Sequence, residues 1–299
     1  MKKDMINFIE SIQTANKDSV KVFGNLIRVN DELFPLPLVK GNSKLGETVF
    51  HASTLPTNGI YTVTDKNTGE TFTEKGTCPM TCKDKNGEIT CYGVHGNYNF
   101  PNVKYLLARR TAFLRKYPTI YFHCVKAQLI YEEVEKLRIH ATGDFIPGEA
   151  IGFYNVLKEF PNIAAWTYTK VTNDPDIDTL NSLNNMNVVK SILPWGGFNY
   201  GHVAYIATNY YRLKRMGESV YICRCGIDKN QHCSNCDGCS KHKYVLFIEH
   251  STDYVPEKDY GFDKLKELIE SQPKSIISSI KKAVKKLTKK TAKKTAKKA

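Results

Sequence analysis

Apolar and polar positions change their period along this chain. Up to about residue 75 the apolar residues come in short, loosely alternating runs. Residues 20–23 and 26–29 read as short strands, and 60–64 with 70–73 as a hairpin turned through Asp65, Asn67 and Gly69. Further on, helical spacing appears over 103–116 and again over 127–134. Residues 137–142 read as a buried strand that ends in Gly143-Asp144. A helix follows over 148–160, with Ile151, Tyr154 and Leu157 on one face. Strand 163–169, helix 177–184 and strand 188–193 continue the alternation, and 203–207, 220–223 and 244–249 are later strands. Strands alternating with helices of about a dozen residues predict βαβ units and a parallel sheet. The expected fold is therefore α/β, its parallel-sheet core a full or partial (β/α) barrel or an open sheet.

This pattern divides the chain into a β-containing lead-in (1–75), a cysteine-rich core (76–255), a linker with a short helix (256–272) and a tail (273–299). The first ten residues carry two lysines, but Asp4, Asn7 and Glu10 interrupt them, which reads as a short amphipathic helix rather than a secretion signal. No run approaches the roughly 18 to 20 apolar residues of a membrane helix. A cytoplasmic location is expected.

Charge changes the picture of the tail alone. Of the formal +13, the 11 lysines between Lys274 and Ala299 supply +11, with no acid among them, leaving +2 for residues 1–273. The body is nearly neutral. Lysine pairs recur every four residues from 281, while Ile276, Ile277, Ile280, Val284 and Leu287 fall near one helical face. Such a segment repels itself when free and suits a polyanion, whose counterions it would release. Nucleic acid is the expected partner, an anionic membrane surface or simple solubility the alternatives. Aromatics do not interleave with the lysines, so base stacking is not indicated.

Nine cysteines in a chain without a secretion signal point away from a disulfide framework. Eight fall into two groups. Cys233, Cys236 and Cys239 form a C-x2-C-x2-C run, with Cys223 and Cys225 upstream. That spacing lets successive thiolates curl around one metal or one face of a cluster, and suits tetrahedral Zn2+ and a [4Fe–4S] cluster alike. His232 and His242 are spare ligands. In the early group Cys78 and Cys82 are separated by three residues, and Cys91 lies eight further on. Three thiolates leave one coordination position open, as a catalytic centre needs; a structural zinc site completed by His95 is the alternative. Cys124 stands alone and reads as core, as does His140. A turn at Trp195-Gly196-Gly197-Phe198 is a further candidate for ligand contact.

Two resemblances follow from these residues. The order of motifs resembles radical-SAM enzymes. These place a three-cysteine loop after the first strand, a Gly-Gly-Glu-like motif for the amino group of S-adenosylmethionine after the second, and often a Thr/Asn-rich turn after the third. Here Cys78, Cys82 and Cys91 precede a strand ending in Thr142-Gly143-Asp144-Phe145, and Trp166-Thr167-Tyr168-Thr169-Lys170 follows a helix. The second cysteine gap is eight residues where those enzymes have two, and Gly143-Asp144 is shorter than their acidic motif. A Gly-Asp after a strand also serves as a turn and a helix cap. The chain is also similar to the phage "gene product 88" family over about residues 35–250. That likeness rests on Gly41 to Gly46, Ser53-Thr54-Leu55-Pro56, Thr77-Cys78-Pro79 with Cys91-Tyr92, residues 139–145 and 166–169, the C-x2-C-x2-C run and Phe247-Ile248-Glu249-His250.

The radical-SAM likeness implies a [4Fe–4S] cluster at Cys78, Cys82 and Cys91, with S-adenosylmethionine held beside Gly143, Asp144, Thr167 and Thr169. Asp144 would lie near its amine, and a 5′-deoxyadenosyl radical would abstract hydrogen from the substrate, for which the lysine tail and the phage resemblance suggest a nucleic acid or a nucleotide-related molecule. The later cysteines would hold an auxiliary cluster or zinc. The alternative is a non-catalytic, zinc-stabilised nucleic-acid-binding phage protein of the host cytoplasm.

Overall fold

Residues 3–12, 18–41, 45–83, 89, 91–192, 202–203, 220–223, 232–242 and 244–247 are described in the computed structural model. Helix α1 (Lys3–Glu10) buries Met5 and Ile9 and packs on the antiparallel sheet of β1 (Val20–Phe23), β2 (Leu26–Val29) and β3 (Glu32–Pro35). Strands β4 (Leu38–Lys40) and β5 (Val49–Ala52) follow, then the hairpin β6 (Ile60–Thr64) and β7 (Thr71–Lys75). The chain continues through α2 (Pro101–Lys116), α3 (Pro118–Tyr131), β8 (Lys136–Ile139), α4 (Glu149–Leu157), β9 (Ala164–Thr169), α5 (Pro175–Asn181), β10 (Met186–Ile192) and β11 (His202–Val203). Then come β12 (Val220–Cys223), α6 (Gly238–Lys241) and β13 (Tyr244–Phe247).

The central sheet has the order β4-β5-β8-β9-β10-β11. From β5 to β11 every pairing is parallel and the strands lie in chain order, while β4 joins the edge antiparallel. The fold is thus mixed α/β, with an open sheet among the described residues. Alternation along the strands divides two cores. Phe50, Leu137, Ile139, Ala165, Met186 and Val188 face the helices and join one large cluster with residues of α1 to α5. Val49, Trp166 and Val189 face the other way and pack with Cys223, Cys233 and Cys239. Close helix packing on the first side uses Gly152, where a Cβ would lie 2.1 Å from the Phe122 ring.

The hairpin, the helices α2, α4 and α5 and the strands β8 to β10 stand near where the apolar periodicity puts them. Three differences have physical causes. Helix α3 begins at Pro118, not 127: wedged between α1, α2 and α4, it is apolar nearly all round and shows no stripe. Strands β3 to β5 escape the pattern because they are three or four residues long, and β5 is buried on both faces, so it does not alternate. Through β4 and β5 the central sheet also draws on residues 38–52, so a division at residue 75 runs between strands of one sheet. The turn at 195–198, residues 204–207, Cys225 and the lysine tail lie outside the described residues.

Candidate metal centres

Open parallel sheets bind ligands beyond the carboxyl ends of their strands. At that end the segments leaving β5 and β8 are tied together. Thr54 N donates to Thr142 O (3.1 Å), and Thr77, which precedes the first cysteine, is the knot. The Thr77 hydroxyl donates to Leu55 O (3.0 Å), lies 2.9 Å from Thr54 Oγ1 and accepts from Asp144 N (2.8 Å). Gly143 fits this knot because it has no side chain: its φ is +89°, and a Cβ would stand 2.0 Å from Thr54 Oγ1. Cys78 N donates to Thr57 O (2.9 Å), which fixes the start of the cysteine loop.

The Asp144 carboxylate is buried and holds the ends of β8 and β9 together. Oδ1 accepts from Phe145 N (2.9 Å) and the Thr169 hydroxyl (2.5 Å), and Oδ2 accepts from Lys170 N (2.8 Å). Beside it His140 Nε2 stands 3.2 Å from Glu149 Oε1 in a fully buried ion pair. Burial disfavours the imidazolium, but the Glu149 carboxylate outweighs it and raises the His140 pKa. His140 adopts the left-handed region at φ +56°, uncommon for a residue with a side chain.

Cys78, Cys82 and Cys91 meet next to this knot. Cys82 and Cys91 hydrogen-bond to each other, and Cys78 feels the charge of Cys82, Asp144 and Lys170. The thiols are unequal. Cys91 donates to Cys82 and, with a smaller contribution from the Lys170 ammonium, holds Cys82 below the ordinary thiol range, while Cys91 keeps its proton and moves far up. Burial, reinforced by Asp144, pushes Cys78 up to about 12. Tyr61, bonded through its hydroxyl to Thr57 (2.9 Å), lies near enough to Cys91 and Cys78 to feel their charge. Thr167 lies two residues before Thr169 on the same face of β9, fully buried and opposite Ile139.

The late cysteines sit elsewhere on the same sheet. Cys223 hydrogen-bonds with Cys239, whose thiol also meets Tyr168, and Cys233 stands near enough to act on its charge. Cys236 Sγ lies 3.0 Å from the Tyr221 hydroxyl and accepts from Gly238 N (3.4 Å). Asn187 donates to Cys239 O and His242 O, Lys136 Nζ to Ser234 O and the Asp237 carboxylate, and Ser234 N to Leu45 O. These anchors lie towards the starts of β5, β8 and β10, away from the first set. Cys124 is buried in the helix-side core, apart from both. Among the described residues, no group of three or more His, Cys, Asp or Glu side chains already stands in the arrangement of a bound metal ion.

A family model described as gene product 88 matches residues 36–242. The chain belongs to that family. The gene product 88 region runs from just before β4 to the end of α6, so it takes in the whole central sheet and every cysteine, and leaves out α1, the β1–β3 sheet and the lysine tail. No curated protein and no solved structure matches the chain. No helix among the described residues is long and apolar enough to cross a membrane.

Sequence reasoning gave no role to Lys170, Thr77 or Tyr61. For Lys170 the signal was present: a charged residue directly after a buried strand, at the sheet end that binds ligands. Thr77 and Tyr61 become visible only once the β6–β7 hairpin folds back over the loop.

Proposed function

We propose that this gene product 88 protein is an iron–sulfur enzyme of radical-SAM type, with its cluster on Cys78, Cys82 and Cys91. The observation that supports it most is the convergence of three thiols from an irregular spacing at the carboxyl end of a parallel sheet whose strands follow chain order. The donor set suits the group: three soft sulfur ligands on a loop, partly buried. When bound, such a cluster supplies the electron that cleaves S-adenosylmethionine reductively. The chain's own residues fix the setting. Thr77 and Asp144 hold the loop to the ends of β8 and β9, and Lys170 adds positive charge that favours thiolate over thiol. Asp144, already accepting three hydrogen bonds, acts mainly by placing Thr169 and Lys170, and any amine contact would fall to the outer lone pairs of Oδ2. A nucleic acid or nucleotide substrate is supported only by the lysine tail and the phage family.

A second reading has its own observation. Two sulfurs close enough to hydrogen-bond, as Cys82 and Cys91 are, are spaced like ligands of one tetrahedral zinc ion, whose bonds are about 2.3 Å long. In that case the protein is a zinc-stabilised nucleic-acid binder without redox chemistry. Anaerobic purification with metal analysis decides between them. Iron and sulfide lost on substituting Cys78, Cys82 and Cys91 with Ala, absorbance near about 400 nm and reductive cleavage of S-adenosylmethionine are the expected results. Zinc alone at these positions would defeat the first reading.

A further inference from the structure

We propose that Cys223, Cys233, Cys236 and Cys239 hold one tetrahedral zinc ion that staples β12 and residues 232–242 onto the face of the central sheet that carries Val49, Trp166 and Val189. Cys223 of β12 comes together with Cys233 and Cys239 of the following segment, and Cys236 lies against Tyr221 of the same strand, so a bound ion would have to draw the Cys236 sulfur in. Tyr221 and Cys223 are two residues apart in that strand and so project to the same face. Cys223 meets Cys239, and Tyr221 meets Cys236 at 3.0 Å. Gly238 completes the approach: a Cβ there would lie 2.0 Å from the Tyr221 ring.

Three features favour one closed zinc site over loose thiols, and the metal analysis below separates zinc from iron. Cys223, Cys233 and Cys239 are 3%, 6% and 8% exposed, inside an apolar cluster with Leu45, Val49, Trp166 and Val189. Cys236 is half-buried, and its sulfur faces two donors, Tyr221 O–H and Gly238 N–H. Such outer contacts orient and stabilise a metal-bound thiolate. Finally, ligand sulfurs on one zinc ion stand about 3.8 Å apart, as bonds of about 2.3 Å at tetrahedral angles require. Cys223 and Cys239 approach closely enough to hydrogen-bond. Four sulfurs leave no open position, so the ion is structural. Its load path is visible in Lys136, Asn187 and Leu45, which tie the cysteine module to the starts of the sheet strands.

The test is independent of the first cysteine set. The full chain carrying Cys78→Ala, Cys82→Ala and Cys91→Ala should retain one zinc per chain and no visible absorbance, by plasma mass spectrometry and spectrophotometry. Adding Cys223→Ser and Cys239→Ser should drop zinc to below about a tenth and red-shift tryptophan emission as Trp166 loses its packing. Should substitution disturb folding, the unsubstituted chain is titrated with an organomercurial while released zinc is followed. Zinc should leave in step with modification of these four thiols, identified by peptide mapping. Iron with sulfide in the variant lacking the first set, no metal there, or zinc released by modifying other thiols would each overturn the staple.

Discussion

His51 and Asp144 show how single residues set the conditions around the central sheet. Burial, followed by the charges of Arg110 and Arg138, pushes the His51 pKa from 6.5 down to about 3, while its Nδ1 stays 2.8 Å from Ser53 Oγ. Between those two values the unfolded chain binds a proton at this site and the folded chain does not. Stability should therefore fall as pH drops below about 6.5, by about 1.4 kcal/mol per unit from this residue alone. Urea midpoints of the wild type and His51→Gln at pH 7, 6 and 5 test it: the difference between the two should shrink or reverse with acidification, and parallel curves would refute it. The His140–Glu149 pair has the opposite sign, since a raised histidine pKa contributes stability below about 6.5 that is lost as pH rises through the folded value. Removing its anion with Glu149→Gln should cost about 3–5 kcal/mol, because a buried charge loses its partner. Asp144→Ala frees three buried donors and should cost about 2–4 kcal/mol. Asp144→Asn, which keeps one acceptor oxygen, should cost less, and amide exchange at Lys170 should quicken in both.

At the scale of elements, the edge of the sheet depends on one glutamine. Strand β4 is three residues long, and Gln128 in α3 clasps its backbone, accepting from Leu38 N (2.9 Å) and donating to Leu38 O (3.0 Å). Gln128→Ala leaves both groups buried and unpaired and should cost about 1–3 kcal/mol, read as a lower thermal midpoint with faster exchange confined to residues 38–40. This strand also marks the limit of what the sequence disclosed. Helices with a stripe and strands with a polar neighbour announced themselves, as α2, α4, β9 and the β6–β7 hairpin did. Elements defined by tertiary cover did not: β4 is held by a side chain 90 residues away, and α3 is apolar nearly all round. The same split runs through the candidate site. Cys78, Cys82, Cys91 and the C-x2-C-x2-C run were legible because thiol clustering is a local signal. Thr77 was silent, because its meaning arises where the ends of β5, β8 and β9 come together, and the signal at Lys170, a charge directly after a buried strand, went unused.

The whole molecule separates a nearly neutral folded body from a polycation. All nine cysteines and the central sheet lie inside residues 36–242, and +11 of the +13 formal charge lies beyond residue 273. If the tail is the polyanion-binding device, deleting 274–299 should abolish binding to duplex DNA while leaving metal content and thermal midpoint unchanged. The salt dependence supplies the sharper check. Each neutralised phosphate contributes about −0.9 to the slope of log affinity against log salt. A tail engaging about six to ten phosphates would then lose about 10³- to 10⁵-fold in affinity between 50 and 200 mM salt. A body of charge +2 has no comparable reserve, so the truncated chain should show a shallow slope, whatever residual affinity it keeps. Contacts of this kind position a protein without reading bases, so scrambled and natural duplexes of equal length should bind alike. A steep slope that survives truncation would locate the basic surface on the folded body and remove the tail's assigned role.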